Sequence, residues 1–339
     1  MKQFLAITLL LLATSVKAQD PHFSQFFASP LTLNPAMTGK FNGISRVAVN
    51  YRNQWPTINN AFRTGTASVD VGILPNRIPE FDQFGVGVMG MYDQNASGIM
   101  KNSYISGSLA YHKGLDESGY HSLGAGFSTT YANRRLDISK LDFEDELTSL
   151  GFTGVTSEFF ANYGGSGFLN FSYTDINAGF LYSGATNDYN NFYLGASLYH
   201  INRPKVSFQG ANFLLNPRFT VHGGGYFPVT DGTTVFVSGS HQRQAGATET
   251  IFGGAVGLTV NDNYDNATEV YLGSWVRWND AIIPYVGLET GNFRFGVTYD
   301  VNTSRLTAAS RRQGGMEASL IYIVKHKDPN RKGIPCPRF

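Results

Sequence analysis

Between Ile44 and Lys325 the chain repeats one pattern: apolar and polar residues alternate over short segments separated by clusters of Gly, Asn, Asp and Pro. The repetition reads as about fourteen strands, each roughly the length that a tilted β-strand needs to cross a bilayer. Two segments show it cleanly. In Asn292–Val301, Phe293, Phe295, Val297, Tyr299 and Val301 share one side, and Arg294, Gly296, Thr298 and Asp300 the other. In Gly315–Lys325, Met316, Ala318, Leu320, Tyr322 and Val324 again share a face. Side chains alternate along a strand, so each segment carries one greasy surface and one polar or small surface. A soluble sandwich alternates too, but soluble strands cluster near 5–6 residues. Tyr104–Lys113, His121–Asn133 and Thr248–Val260 are about twice that. The expectation is an all-β, outer-membrane β-barrel of antiparallel strands over residues 44–325.

The first residues agree. Met1-Lys2, the apolar run Phe4–Ala13 and the small Ala18 form a secretory leader, residues 1–18, cut before Gln19. The run is shorter than the ~20 residues of a spanning helix, and no later run is long and apolar enough to span as one. A membrane protein of this composition therefore spans by strands, because only helices and closed barrels satisfy their own backbone in hydrocarbon. The single cysteine, Cys336, excludes an internal disulfide framework. A net charge of +1 gives no reason to expect nucleic acid as a partner.

Residues 19–43 do not alternate. They hold Asp20, Pro21, His22, Phe23, Ser24, Gln25, Phe26 and Phe27, then Leu33, Asn34, Pro35 and Ala36. Pro21, Pro30 and Pro35 favour extended and turned backbone over helix. Exposed aromatic clusters are costly, so Phe23, Phe26 and Phe27 should be buried, either in the lumen as a plug or against a partner protein. A partly ordered leader is the plainer alternative.

In the first strand, Arg46–Arg52, energy fixes the register. A basic residue facing lipid at the midplane costs about 2–4 kcal/mol, so Val47, Val49 and Tyr51 face outward and Arg46 and Arg52 face the lumen. Arg294 and Asp300 follow by the same parity. Trp55 then sits at the rim. The long connections, 133–171, 202–217 and 302–313, all fall on one side, opposite the N-terminus. Bacterial barrels have short periplasmic turns, so this parity puts both termini in the periplasm. The acidic run from Arg134 to Glu146 reads as a solvated loop, or as a partner surface or cation site. The tail, residues 326–339, is basic and proline-bearing, and would hang into the periplasm either docked or disordered.

Signals for chemistry are weak. The seven histidines show no ligand spacing, and there is no Gly-x-Ser-x-Gly elbow. Gly253–Gly257 lacks a dinucleotide fingerprint or P-loop lysine. Asn261–Asp265 resembles a calcium loop only faintly, since its required glycine is missing. No cofactor is expected, and enzymatic activity is not supported.

Asp20-Pro21-His22-Phe23-Ser24-Gln25-Phe26, Leu33-Asn34-Pro35-Ala36 and Asn50-Tyr51-Arg52-Asn53-Gln54-Trp55 resemble the PorP/SprF family of type IX secretion membrane proteins of the Bacteroidetes. Tyr299-Asp300-Val301-Asn302, with Ser304 and Leu306, resembles its closing hairpin, and Cys336-Pro337-Arg338-Phe339 its terminus. The Asn34-Pro35-Ala36 turn is also similar to the hatch of fatty-acid-transporter-like barrels. The resemblance implies an outer-membrane component of type IX secretion or gliding. Its partners would be periplasmic and motor components, or the C-terminal domain of a secreted adhesin. Two rivals from other classes stand beside it. One is a transport barrel for a small hydrophobic or polar solute, with Arg46, Arg52 and Arg294 in the lumen. The other is a barrel hydrolase with an active-site serine.

Overall fold

A computed structural model describes residues 20–58, 62–73, 79, 81–153, 168–187, 189–208, 211–261 and 268–325. The expected leader and tail and most of the calcium-like loop lie outside these residues. Fourteen strands close into one antiparallel barrel. In chain order they are β1 (Ser45–Gln54), β2 (Phe62–Ile73), β3 (Gln83–Asn95), β4 (Met100–Gly114) and β5 (Ser122–Asp137). Then follow β6 (Phe168–Gly184), β7 (Asn191–Tyr199), β8 (Arg218–Thr230), β9 (Thr233–Gln244) and β10 (Ala247–Asn261). The last four are β11 (Thr268–Arg277), β12 (Ala281–Thr290), β13 (Phe293–Asn302) and β14 (Gln313–Val324). Each pairs with its sequence neighbours, and β1 closes the ring on β14 through Ser45↔Val324 to Gln54↔Gly315.

The alternation is what makes the wall. Val49, Tyr51, Ile105, Phe127, Phe180, Leu194, Val286 and Phe295 are exposed on its outside. Arg46, Asn50, Arg52, Ser108, Asn177 and Thr298 are buried on its inside. An outer apolar band around a polar interior is the arrangement a bilayer demands of a barrel.

Two strands run further than their alternation suggests. Arg134 and Arg135, expected in a loop, belong to β5, which extends to Asp137, and β6 begins at Phe168. The guanidinium of Arg135 lies 3.6 Å from the centre of the Phe168 ring, and that of Arg134 5.5 Å from Tyr173. Cation–π pairs of this kind let arginines stay in a ladder that has left the lipid. β6 pairs with β7 only from Ala178 onward, so its earlier part stands above the neighbouring strand. The 200–217 connection is not plain loop either: Lys205–Phe208 pairs with Ala211–Leu214. Its Val206 and Leu215 fold back on Tyr104, Ala132 and Tyr173. Loop sorting is real but incomplete. The longest connections share one end, yet that end also has a two-residue turn at Ala245 and Gly246, both with positive φ.

The core lies inside the ring. Phe26, Phe27, Ala28, Leu33, Ala36 and Met37 pack with Leu181, Tyr193, Phe236, Ile251, Trp275, Ile283, Tyr285 and Ile321. The segment that supplies the first six is locally helical, contrary to the expectation from its prolines. Phe26–Ala28 and Pro35–Met37 are 3₁₀ turns and Pro30–Leu33 is one α turn. Pro30 and Pro35 each open a turn, where a missing N–H costs nothing. Asn34 then accepts from the Ala36 N–H at 2.8 Å as a cap.

Candidate functional site

The polar inner face and residues 20–43 meet along the whole height of the barrel. At the long-loop end, Asp20 reaches His200, just past β7, with His200 Nε2 2.6 Å from Asp20 Oδ2. His200 Nδ1 lies 2.9 Å from Asp175, and Arg218 Nη1 3.5 Å from Asp20. The Asp20 N–H donates to Gln244 at 2.8 Å. Burial opposes ionisation of Asp20, but the hydrogen bond and charge of His200, with Arg218 and Gln244, hold its carboxyl well below the usual range. Burial likewise opposes the His200 cation, yet Asp175 and Asp20 outweigh it and lift the imidazole to about 9.

Below this lies the densest cluster. The N–H groups of Ser24 and Gln25 donate to the two oxygens of Glu317, at 2.7 and 2.8 Å. The Ser24 hydroxyl donates to Asp300 at 2.9 Å, and Arg277 donates to Asp300 at 2.8 Å and to Ser24 Oγ at 2.6 Å. Arg52 donates to Asp300 at 3.1 Å and to the His22 carbonyl. Glu249 bridges Arg277 at 3.0 Å and His22 at 2.8 Å. Charges this deep in a protein persist only when paired and hydrogen-bonded, and the segment's own backbone completes the pairing here.

The middle of the lumen is aromatic. Phe27 lies tilted over Trp275 at 4.9 Å and meets Phe236 and Tyr285 edge-on at 5.4 and 5.7 Å, centre to centre. One turn further on, Asn34 Nδ2 donates to the Phe180 carbonyl and to His222 Nε2, both at 2.9 Å. Beside it the wall has no side chain to offer. A Cβ on Gly126 would lie 2.5 Å from Ala36 Cα, so Pro35-Ala36 packs directly on strand backbone. Gly39, at φ +72°, meets Gly85 in the same way.

At the short-turn end, Arg46 donates to Asp70 at 2.8 and 3.0 Å and to the Met37 carbonyl at 3.0 Å. The Gly39 N–H shares the same carboxylate at 2.8 Å, and Lys40 donates to Ser122 at 2.8 Å. Residues 20–43 thus run downward from the long-loop end to the start of β1. The parity argument alone places the N-terminal end at the short turns; instead Asp20 lies at the opposite mouth, because its ionic partners stand there.

The structure therefore brings together Asp20, Pro21, Phe23, Ser24, Gln25, Phe26, Asn34 and Pro35 with Arg46, Arg52 and Asp300. It sets two other candidates apart. Trp55 lies at the rim at φ +53°, its ring edge-on to Phe62 and its backbone N–H donating to the Gly314 carbonyl at 2.9 Å. Arg294 pairs with Glu289 at 2.6 Å, near the short turns. Sequence reasoning missed Glu317, Arg277, Glu249, Asp70, His200 and His222. A usable signal existed for some of them. Glu317 sits on the polar face opposite Met316 and Ala318, and Asp70 stands across from Arg46 in the β1–β2 register. An inward arginine needs a counter-charge, so inward acids on neighbouring strands were the place to look.

The description "Type IX secretion system membrane protein PorP/SprF" matches residues 15–322, nearly the whole chain. The chain belongs to the PorP/SprF family. It is accordingly an outer-membrane barrel of type IX secretion. Phe23–Phe26 and Leu33–Ala36, which carry the resemblance, are buried against the inner face of the barrel. No curated protein matches. Among solved structures, "CymD monoaromatic hydrocarbon channel" is similar at 9% identity, TM-score 0.48, with 89% of this chain and 94% of that one covered. The Ralstonia pickettii toluene transporter TbuX is similar at 9% identity and TM-score 0.47, covering 87% and 91%. BamA from Haemophilus ducreyi follows at 9% and 0.42, covering 83% and 71%.

Proposed function

We propose that this chain is a non-enzymatic scaffold of the type IX machinery: it presents its long-loop end outward to the C-terminal domain of an exported adhesin. Its short turns and the tail, residues 326–339, would face periplasmic and motor components. The orientation follows the rule that bacterial barrels keep their short turns in the periplasm. In this reading the leader, residues 1–18, is removed, residues 19–43 are a plug, and residues 44–325 are the barrel. Asp20, Pro21, Phe23, Ser24, Gln25, Phe26, Asn34 and Pro35 are the plug's contact residues, and Arg46, Arg52 and Asp300 its anchors in the wall. Arg294 lines the lower lumen, and Trp55 belongs to the outer rim.

The observation that carries the reading is the run of buried residues from Phe23 to Phe41 inside the ring, broken only by the half-buried Thr32. A lumen occupied by Phe27, Trp275 and Tyr285 leaves two mouths to dock on, not an aqueous path between them. Affinity capture from detergent-solubilised envelopes tests it: the chain should bring down an exported adhesin or a type IX component, and recovery of neither overturns it. The transport reading makes the opposite demand. Single-channel conductance of the intact chain, lost when Arg46 and Arg52 are replaced, would favour transport over the scaffold.

A further inference from the structure

Residues 20–22 lie at the mouth furthest from the start of β1. Asp20 is held by His200, Arg218 and Gln244, which sit at the long-loop ends of β7, β8 and β9. Lys40, by contrast, bonds Ser122 at the short-turn start of β5. Asp20, Pro21 and His22 are only half-buried, whereas nearly every residue from Phe23 to Phe41 is buried. Pro21 also borders two small recesses that flank the bridge from Arg218 to Asp20 and to the Thr32 carbonyl. The larger is walled by Met89, Met91, Tyr104, Tyr173 and Tyr199. Thioether and phenol walls are the adaptable, amphipathic surface on which partners settle.

We propose that Asp20, Pro21 and His22 are an outer-face element, reachable from the cell exterior, and that the exported partner contacts them there. The element rests on the scaffold reading above for its partner, but its sidedness stands on the path of the chain and on the outward placing of the long loops. The partner segment it fits is extended and apolar, lying against the Met89–Tyr199 wall beside Pro21. Contact at this mouth then bears on a peptide that continues to the opposite mouth.

The test uses the full chain in its native outer membrane, with Cys336→Ser removing the lone thiol. Pro21→Cys is treated on intact cells with a membrane-impermeant maleimide. Leu150→Cys, on the long 138–167 connection, is the outer control, and Asp231→Cys, in the turn between β8 and β9, the inner one. Labelling of Pro21→Cys without permeabilisation, as for Leu150→Cys, is the expected result. Labelling only after permeabilisation, as for Asp231→Cys, overturns the inference. An epitope inserted between Gln19 and Asp20, read by antibody on intact cells, decides the same point where the cysteine variant does not assemble. A photo-crosslinking residue at Pro21 addresses the partner. Crosslinks to the exported adhesin are expected, and surface labelling without any crosslink overturns that half alone. Inward sidedness together with successful capture of an adhesin would overturn the inference and leave the scaffold reading intact.

Discussion

Glu317 holds the backbone of residues 24 and 25 to the inner face of β14. It accepts two backbone N–H groups from the segment and balances Arg52, 3.9 Å away. Glu317→Ala leaves those donors and a guanidinium short of an acceptor, and breaking a buried pair by removing one partner costs about 3–5 kcal/mol. We expect loss of thermal stability on that scale. With Trp55 and Trp278 changed to Phe, the emission of Trp275 should also shift as Phe27 leaves it; unchanged emission would mean the segment is held by packing alone. Gly126→Val tests packing separately. The valine drives a branched side chain into Ala36, so the segment should loosen while the strand, which accepts valine readily, keeps its ladder. The outer latch is set by pH. His200, raised from 6.5 to about 9, stabilises docking fully below 6.5 and loses that contribution as pH rises through about 9. Asp20, lowered from 3.8, contributes above 3.8 and fades as pH falls through its depressed value. Exchange of the amides of Phe23–Gln25, corrected for intrinsic rate, should quicken above pH 9, and His200→Gln should abolish that step. At this scale the sequence is half legible. That Arg46 and Arg52 turn inward follows from the cost of charge in lipid. Their partners do not, because Ser24 and Glu317 meet across 293 residues and no local pattern points from one to the other.

Among the elements, the strands were the readable part and the segment was not. Period-two alternation survives in β1, β13 and β14 because lipid and lumen demand opposite chemistry of successive residues. It fails as a guide where strands leave the membrane, which is why Arg134 to Asp137 look like loop yet extend β5. Residues 20–43 have no period at all, and the burial of their aromatics could be foreseen while their direction could not. Removing residues 20–38 tests what they do for the wall. The strands keep their backbone ladder, since none of it runs through the segment, but the lumen loses the rings that cover Phe236, Trp275 and Tyr285. We expect a folded barrel of lower stability that conducts ions in planar bilayers where the intact chain does not. A silent deletion variant would mean that something other than the segment closes the path.

The whole molecule is a ring with nearly all of residues 23–41 buried against its inner face. That face ties the first residues of the segment to the last strand: Ser24 and Gln25 to Glu317, and Gln25 to Ser319. That clamp is complete only once β14 has zipped against β1. Until then the peptide that will fill the bore has a landing place on only part of its circumference. A chain cut short before β14 should therefore leave its own front end adrift, like a bolt with no strike plate to receive it.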